Sequence, residues 1–141
     1  MDPSTVFQVA NLFPMPIWLL WMIAPRSQAA RGIARSTWPW AVLAALYTVL
    51  MLYALSQQGL DPREFGSLAS VMRLFTLPWV ALAGWVHYLC FDLFVGRWMM
   101  NDAPDAGHRL APILLLTLLF GPAGLLCYLA FRSSLQAVDL A

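Results

Sequence analysis

Charge is scarce in this sequence. Only 11% of its 141 residues are charged, and all eight cations are arginine, with no lysine to join them. A soluble domain carries roughly a quarter charged residues, and a short chain has proportionally more surface to cover with them. An ordinary water-soluble domain is therefore excluded. The net charge of +1 supplies no basic face for nucleic acid. No function is attached to the missing lysine. There are only two cysteines, Cys90 and Cys127. They are expected to differ in depth by more than about 15 Å at the rise of a helix, beyond the roughly 7 Å between Cα atoms that a disulfide spans. Metal-binding spacing is also missing. His87 has no histidine or carboxylate three or four residues away, and His108 lies in a loop with Asp102, Asp105 and Arg109. No metal and no haem is expected. No Ser–His–Asp arrangement, phosphate-cradling glycine loop or other cofactor motif is present, so no cofactor is called for. Finally, no arginine precedes Arg26, so the first apolar run lacks the positive flank of a signal peptide and reads as a retained helix. With no transit sequence ahead of it, the expected location is a bacterial inner (plasma) membrane.

What the chain does have is hydrophobic length: 61% hydrophobic residues and a mean hydropathy of +0.69. Four apolar stretches run approximately Val6–Ala24, Trp38–Leu55, Val71–Val95 and Leu110–Phe131. Each approaches the ~20 residues that cross a ~30 Å hydrocarbon layer. They are too long for strands, and an open sheet cannot satisfy its backbone in lipid. The expected fold is all-α: one polytopic membrane domain over residues 1–141, built as a bundle of four transmembrane helices. Arg26, Arg31 and Arg35 in the first loop, and Arg97 and Arg109 in the third, put those loops in the cytoplasm and both termini outside. Asp2–Pro3 reads as a cap followed by a first-turn proline. Asp61, Pro62 and Glu64 read as a capping box that starts the third helix outside the membrane, with Arg73 snorkelling to the outer headgroups. Pro14, Pro16, Pro78 and Pro122 interrupt the spans and release the carbonyls of Ala10, Leu12, Leu74 and Leu118. The kinks either let helices pack closely beside small residues such as Gly121 and Gly124, or open a cavity within the bundle.

The segment Trp85–Asp102 concentrates the chemistry. His87 and Asp92 are ionisable groups inside a span, and such groups normally face the interior and have a partner. Five residues on a helix amount to about 140° of rotation and about 7.5 Å of rise. His87 and Asp92 therefore contact different neighbours, or opposite sides of a ligand. Trp85, Tyr88 and Gly96 share the face of Asp92; Gly84, Phe91 and Phe94 share that of His87. Arg97 is long enough to reach back to Asp92 as an ionic partner. His87 as a hydrogen-bonded core residue is the competing reading.

The run Trp85, His87, Asp92, Leu93, Phe94, Arg97 and Asp102 resembles the abscisic-acid-deficient-four-like membrane proteins, plant plastid proteins required for neoxanthin formation and their short bacterial relatives. Phe7–Asn11, Pro16–Trp18 and Phe120–Gly121–Pro122 with Gly124 support the match. The resemblance implies a carotenoid substrate, since the plant members are linked to rearranging the epoxide violaxanthin into an allenic product. That chemistry needs an acid for the epoxide oxygen and a base for a carbon-bound proton. It implies His87, Asp92 and Arg97 as catalytic residues. A carotenoid, apocarotenoid or related isoprenoid lipid suits a cavity rimmed by aromatics, with Asn11, Trp18, Trp85, Tyr88 and Phe91 as its contacts. Two function classes follow: a cofactor-free intramembrane isomerase, or a non-catalytic carotenoid- or retinoid-binding protein or assembly partner. The partners expected are membrane lipid and an apolar isoprenoid-type ligand, and so small a bundle leaves room for a homodimer.

Overall fold

The computed structural model describes residues 2–58 and 62–136. Among these residues the fold is all-α, with eight helices: α1 (Pro3–Leu12), α2 (Met15–Ile23), α3 (Gln28–Arg35), α4 (Trp38–Gln58), α5 (Leu68–Leu74), α6 (Pro78–Asp102), α7 (Ala111–Phe120) and α8 (Pro122–Gln136). The first helix starts as its sequence dictates, with the Asp2 side chain accepting from the Thr5 N–H at 3.2 Å and Pro3 in the first turn. Its apolar run breaks at Phe13–Pro14 and resumes as α2. Taken together α1 and α2 span Pro3–Ile23. That unit, Trp38–Gln57 and Pro78–Asp102 are the three helices among the described residues long and apolar enough to cross a membrane.

The third span is displaced from its expected position. Asp61, the proposed cap, lies outside the described residues. Pro62–Gly66 is a 3-10 turn. Ser67, rather than the expected capping box, caps the short α5 by accepting from the Ser70 N–H. Proline has no N–H to continue that helix, and the Leu74 carbonyl instead accepts from the Leu77 N–H at 3.0 Å. Pro78 therefore opens α6 rather than kinking it, and α6 runs on to Asp102. Arg73 is exposed on α5, where it donates to Ser70 Oγ.

The fourth apolar stretch folds as a helical hairpin rather than one straight helix, so the expected count of four spans is not confirmed. Gly121 takes φ 32°, ψ −89°, a left-handed backbone that glycine adopts without Cβ strain. The chain reverses there. A Cβ on Gly124 would strike the backbone of Thr117, seven residues earlier and about 10 Å away along a straight helix. Phe131, Ser134 and Leu135 of α8 return to line an opening with Pro112 and Ile113 of α7. The ends of α7 and α8 thus meet beside the end of α6. There the Tyr128 hydroxyl donates to Asp102 Oδ2 at 2.6 Å, and Arg132 pairs with the same carboxylate. Pro3 and Phe7 adjoin Pro78 at the other end of α6. The first and last described residues therefore lie near opposite ends of α6, and the expectation of both termini on one side is not supported. Cys127 sits at the Asp102 end for the same reason, and both cysteines are free.

The Asp102 clamp makes a testable claim. Tyr128 is fully buried at 0% exposure, so Asp102→Ala strands its hydroxyl and should cost about 1–3 kcal/mol in thermal unfolding in detergent. Asp105→Ala removes only the exposed 3.7 Å pair with Arg31 and should change stability by less than ~1 kcal/mol. Equal losses for the two would show that the clamp does not hold the hairpin.

Candidate functional site

The helix α6 is the scaffold: it packs against α4 along its length and also meets α1, α3 and α7. Its periodicity sorts the candidate residues into two groups on different faces.

The first face carries Trp85, Tyr88, Asp92 and Gly96. Trp85 Nε1 donates to Asn11 Oδ1 at 2.7 Å, which ties α6 to α1 just before the Pro14 break. The ring of Trp85 lies 5.7 Å from Phe7 and 5.5 Å from Tyr88. Tyr88 is in turn the polar side chain that interacts with Asp92. Asp92 is only 8% exposed, and its Oδ2 is buried with no hydrogen-bond partner. A Cβ on Gly121 would collide with the Asp92 carboxyl group, so the hairpin tip rests directly against it. On the Pro78 side of the tip this face meets α1. An opening of about 370 Å³ lies there, lined by Pro3, Ser4, Phe7, Pro78, Ala81, Leu82 and Trp85.

The second face carries His87, Cys90, Phe91 and Phe94 beside α4. His87 is exposed, with its ring stacked on Phe91 at 4.6 Å and edge-on to Tyr47 at 5.4 Å. An apolar groove of about 280 Å³ follows, lined by Trp40, Ala41, Ala44, Cys90, Phe91 and Phe94.

Of the expected ligand contacts, Asn11, Trp85 and Tyr88 come together, while Phe91 lies on the other face with His87. Trp18 is 1% exposed, with its ring packed over Gly96 and against Trp21; it fills space rather than lining an opening. The expected pairing of Arg97 with Asp92 is not formed. Arg97 Nε donates to the Ala34 carbonyl at 3.0 Å, and its guanidinium lies 4.5 Å over the Trp40 ring. The reason is rotational: five residues turn a helix by about 140°, and side-chain length does not compensate for pointing away. The same offset separates His87 from Asp92. Sequence reasoning missed the contact of Gly121 with Asp92; the Gly–Pro pair at 121–122 was its signal.

The match to the ABA4-like family, described as ABA DEFICIENT 4-like, runs over residues 5–128 and so takes in both faces and the hairpin tip. The chain belongs to this family. It is 24% identical over 135 residues to Protein ABA DEFICIENT 4, chloroplastic, of Arabidopsis thaliana, an alignment that covers 92% of this chain. This ABA4-like chain spans about three-fifths of the length of that relative, 61% of which is covered. No solved structure matches it. The family match ends at Tyr128 and leaves Arg132, the second ligand of Asp102, outside it.

Proposed function

We propose that this protein crosses the membrane three times, adds a re-entrant hairpin, and isomerises an isoprenoid lipid of the carotenoid class on the Asp92 face of α6. The observation that carries this reading is the buried Oδ2 of Asp92 at the hairpin tip, without a hydrogen-bond partner and on the same face of α6 as the Trp85–Tyr88 aromatic strip. At ~1.5 Å per residue Asp92 lies about 15 Å from the end of α6, near the middle of a ~30 Å hydrocarbon layer. A carboxyl group kept there at several kcal/mol indicates a role. Phe7, Trp85 and Tyr88 offer the apolar wall such a ligand needs, and the amide of Asn11 is held in place beside it.

The chemistry balances without a cofactor. The Tyr88 phenol delivers a proton to the epoxide oxygen as its C–O bond breaks, and the Asp92 carboxylate takes the proton from carbon. Asp92 then returns that proton to the Tyr88 oxygen, so the product is an isomer of the substrate. In this reading His87, on the far face, is outside the proton-handling pair. Six of the eight arginines (Arg26, Arg31, Arg35, Arg97, Arg109 and Arg132) belong to the Asp102 end, against Arg63 and Arg73 at the other. By the positive-inside rule this distribution favours a cytoplasmic Asp102 end in a bacterial inner membrane.

The test is expression in a bacterial host that accumulates violaxanthin, followed by chromatography of the pigments. Wild type should yield an isomeric product. Asp92→Asn and Tyr88→Phe should each lower the yield by at least ~100-fold while purifying with unchanged helix content. A polyene absorption band that copurifies without any conversion would make the protein a carotenoid carrier. Undiminished conversion by Asp92→Asn would remove Asp92 from the site.

A further inference from the structure

The opposite face of α6 carries a feature that the isomerase reading leaves unused. Between α4 and α6 the small side chains of Ala41 and Ala44 leave the 280 Å³ groove, walled by Trp40, Phe91 and Phe94. The Cys90 thiol in its wall is turned to the Trp40 carbonyl at 3.6 Å. Arg97 lies beside the groove, over the rings of two of its walls. The Ala34 carbonyl holds Arg97 Nε, and the guanidinium lies over both the Trp40 and Phe94 rings, at 4.5 and 5.7 Å. The side chain is therefore fixed rather than free to roam. Its charge is not met by the protein: the ion pairs among the described residues are Arg31 with Asp105 and Arg132 with Asp102.

Depth selects the ligand. Arg97 lies five residues, or about 7.5 Å, from the end of a helix about 37 Å long, several ångströms more than the ~30 Å hydrocarbon core. Centred on that core, the helix puts Arg97 about 4 Å below the hydrocarbon boundary, within snorkelling reach of the headgroups, where a planar guanidinium can grip phosphate oxygens with two parallel hydrogen bonds. We infer that the α4–α6 groove is a lipid site: one acyl chain of an anionic phospholipid lies against Trp40, Ala44 and Phe94, and its phosphate is bound by Arg97. An arginine with no carboxylate partner beside the groove favours an anionic headgroup over a zwitterionic one. The site faces away from Asp92, so the two proposals stand or fall separately.

The experiment is native mass spectrometry of the detergent-purified protein, with phosphatidylglycerol or phosphatidylcholine of identical chains added. Wild type should retain phosphatidylglycerol at least tenfold more than phosphatidylcholine. Arg97→Gln should abolish that preference. Ala44→Phe fills the groove but keeps the charge, and should lower retention of both lipids about tenfold. Equal retention of the two lipids by wild type would overturn the proposal, as would unchanged retention in Ala44→Phe. So would a dimer whose partner covers the groove and shuts out both lipids.

Discussion

A cysteine at Ser4 will react with an impermeant thiol reagent in intact bacterial cells, and one at Ser133 will react only after the cells are permeabilised, each in a chain whose Cys90 and Cys127 are alanine. Both positions are exposed. Ser4 lies by Pro78 at one end of α6, and Ser133 follows Arg132, which is held by Asp102 at the other. Opposite labelling is what the proposed re-entrant hairpin requires, since the fourth apolar stretch would then enter and leave on the same side. A straight fourth helix would carry Ser133 across the membrane, and the two cysteines would label alike. Like labelling would therefore remove the hairpin. Labelling of Ser133 with protection of Ser4 would keep the hairpin and invert the orientation drawn from the arginines.

The second large effect is expected at the hairpin tip, and its sign is diagnostic. In a straight helix, replacing a glycine by alanine stabilises by about 1 kcal/mol. At Gly121 the φ of +32° would be forced on a residue with a Cβ, and that Cβ would meet the Asp92 carboxyl group. Backbone strain of roughly 1–3 kcal/mol adds to overpacking of roughly 1–3 kcal/mol. Gly121→Ala should thus lower stability by about 2–6 kcal/mol, a large share of the ~5–15 kcal/mol typical of folded domains. Adding Asp92→Ala should return the overpacking part and leave the backbone part. Gly32→Ala, in α3 with open space around it, serves as the control and should be neutral or stabilising. Thermal unfolding in detergent, followed by circular dichroism, reads all four chains. A Gly121→Ala chain as stable as wild type would mean that no sharp reversal exists at the tip.

Much of the molecule was legible from its sequence. Low charge and apolar length identified helices that lie in lipid, because the solvent a side chain can tolerate is a property of the side chain itself. The Asp2–Pro3 start of α1 was equally plain, since a cap and its N–H lie three residues apart. The separation of His87 from Asp92 followed from the rise and turn of a helix and needed no neighbours. Local rules failed where several stop signals competed: the acidic cluster at 61–64 looked like the start of the third span, but Pro78 begins it.

What only the tertiary structure decided are the contacts made between distant parts of the chain. Hydropathy reports that Leu110–Phe131 prefers lipid, and a hairpin satisfies that preference as well as a straight crossing does. The choice is made by Gly121 fitting against Asp92 and by Tyr128 and Arg132 returning to Asp102, 26 and 30 residues away. Arg97 likewise had two partners within its reach, and the position of α3 gave it the Ala34 carbonyl and the Trp40 ring instead of Asp92. Composition and helical periodicity constrain the direction in which a side chain leaves its helix. Which neighbour waits there depends on how the helices pack, and that is set by the whole chain at once.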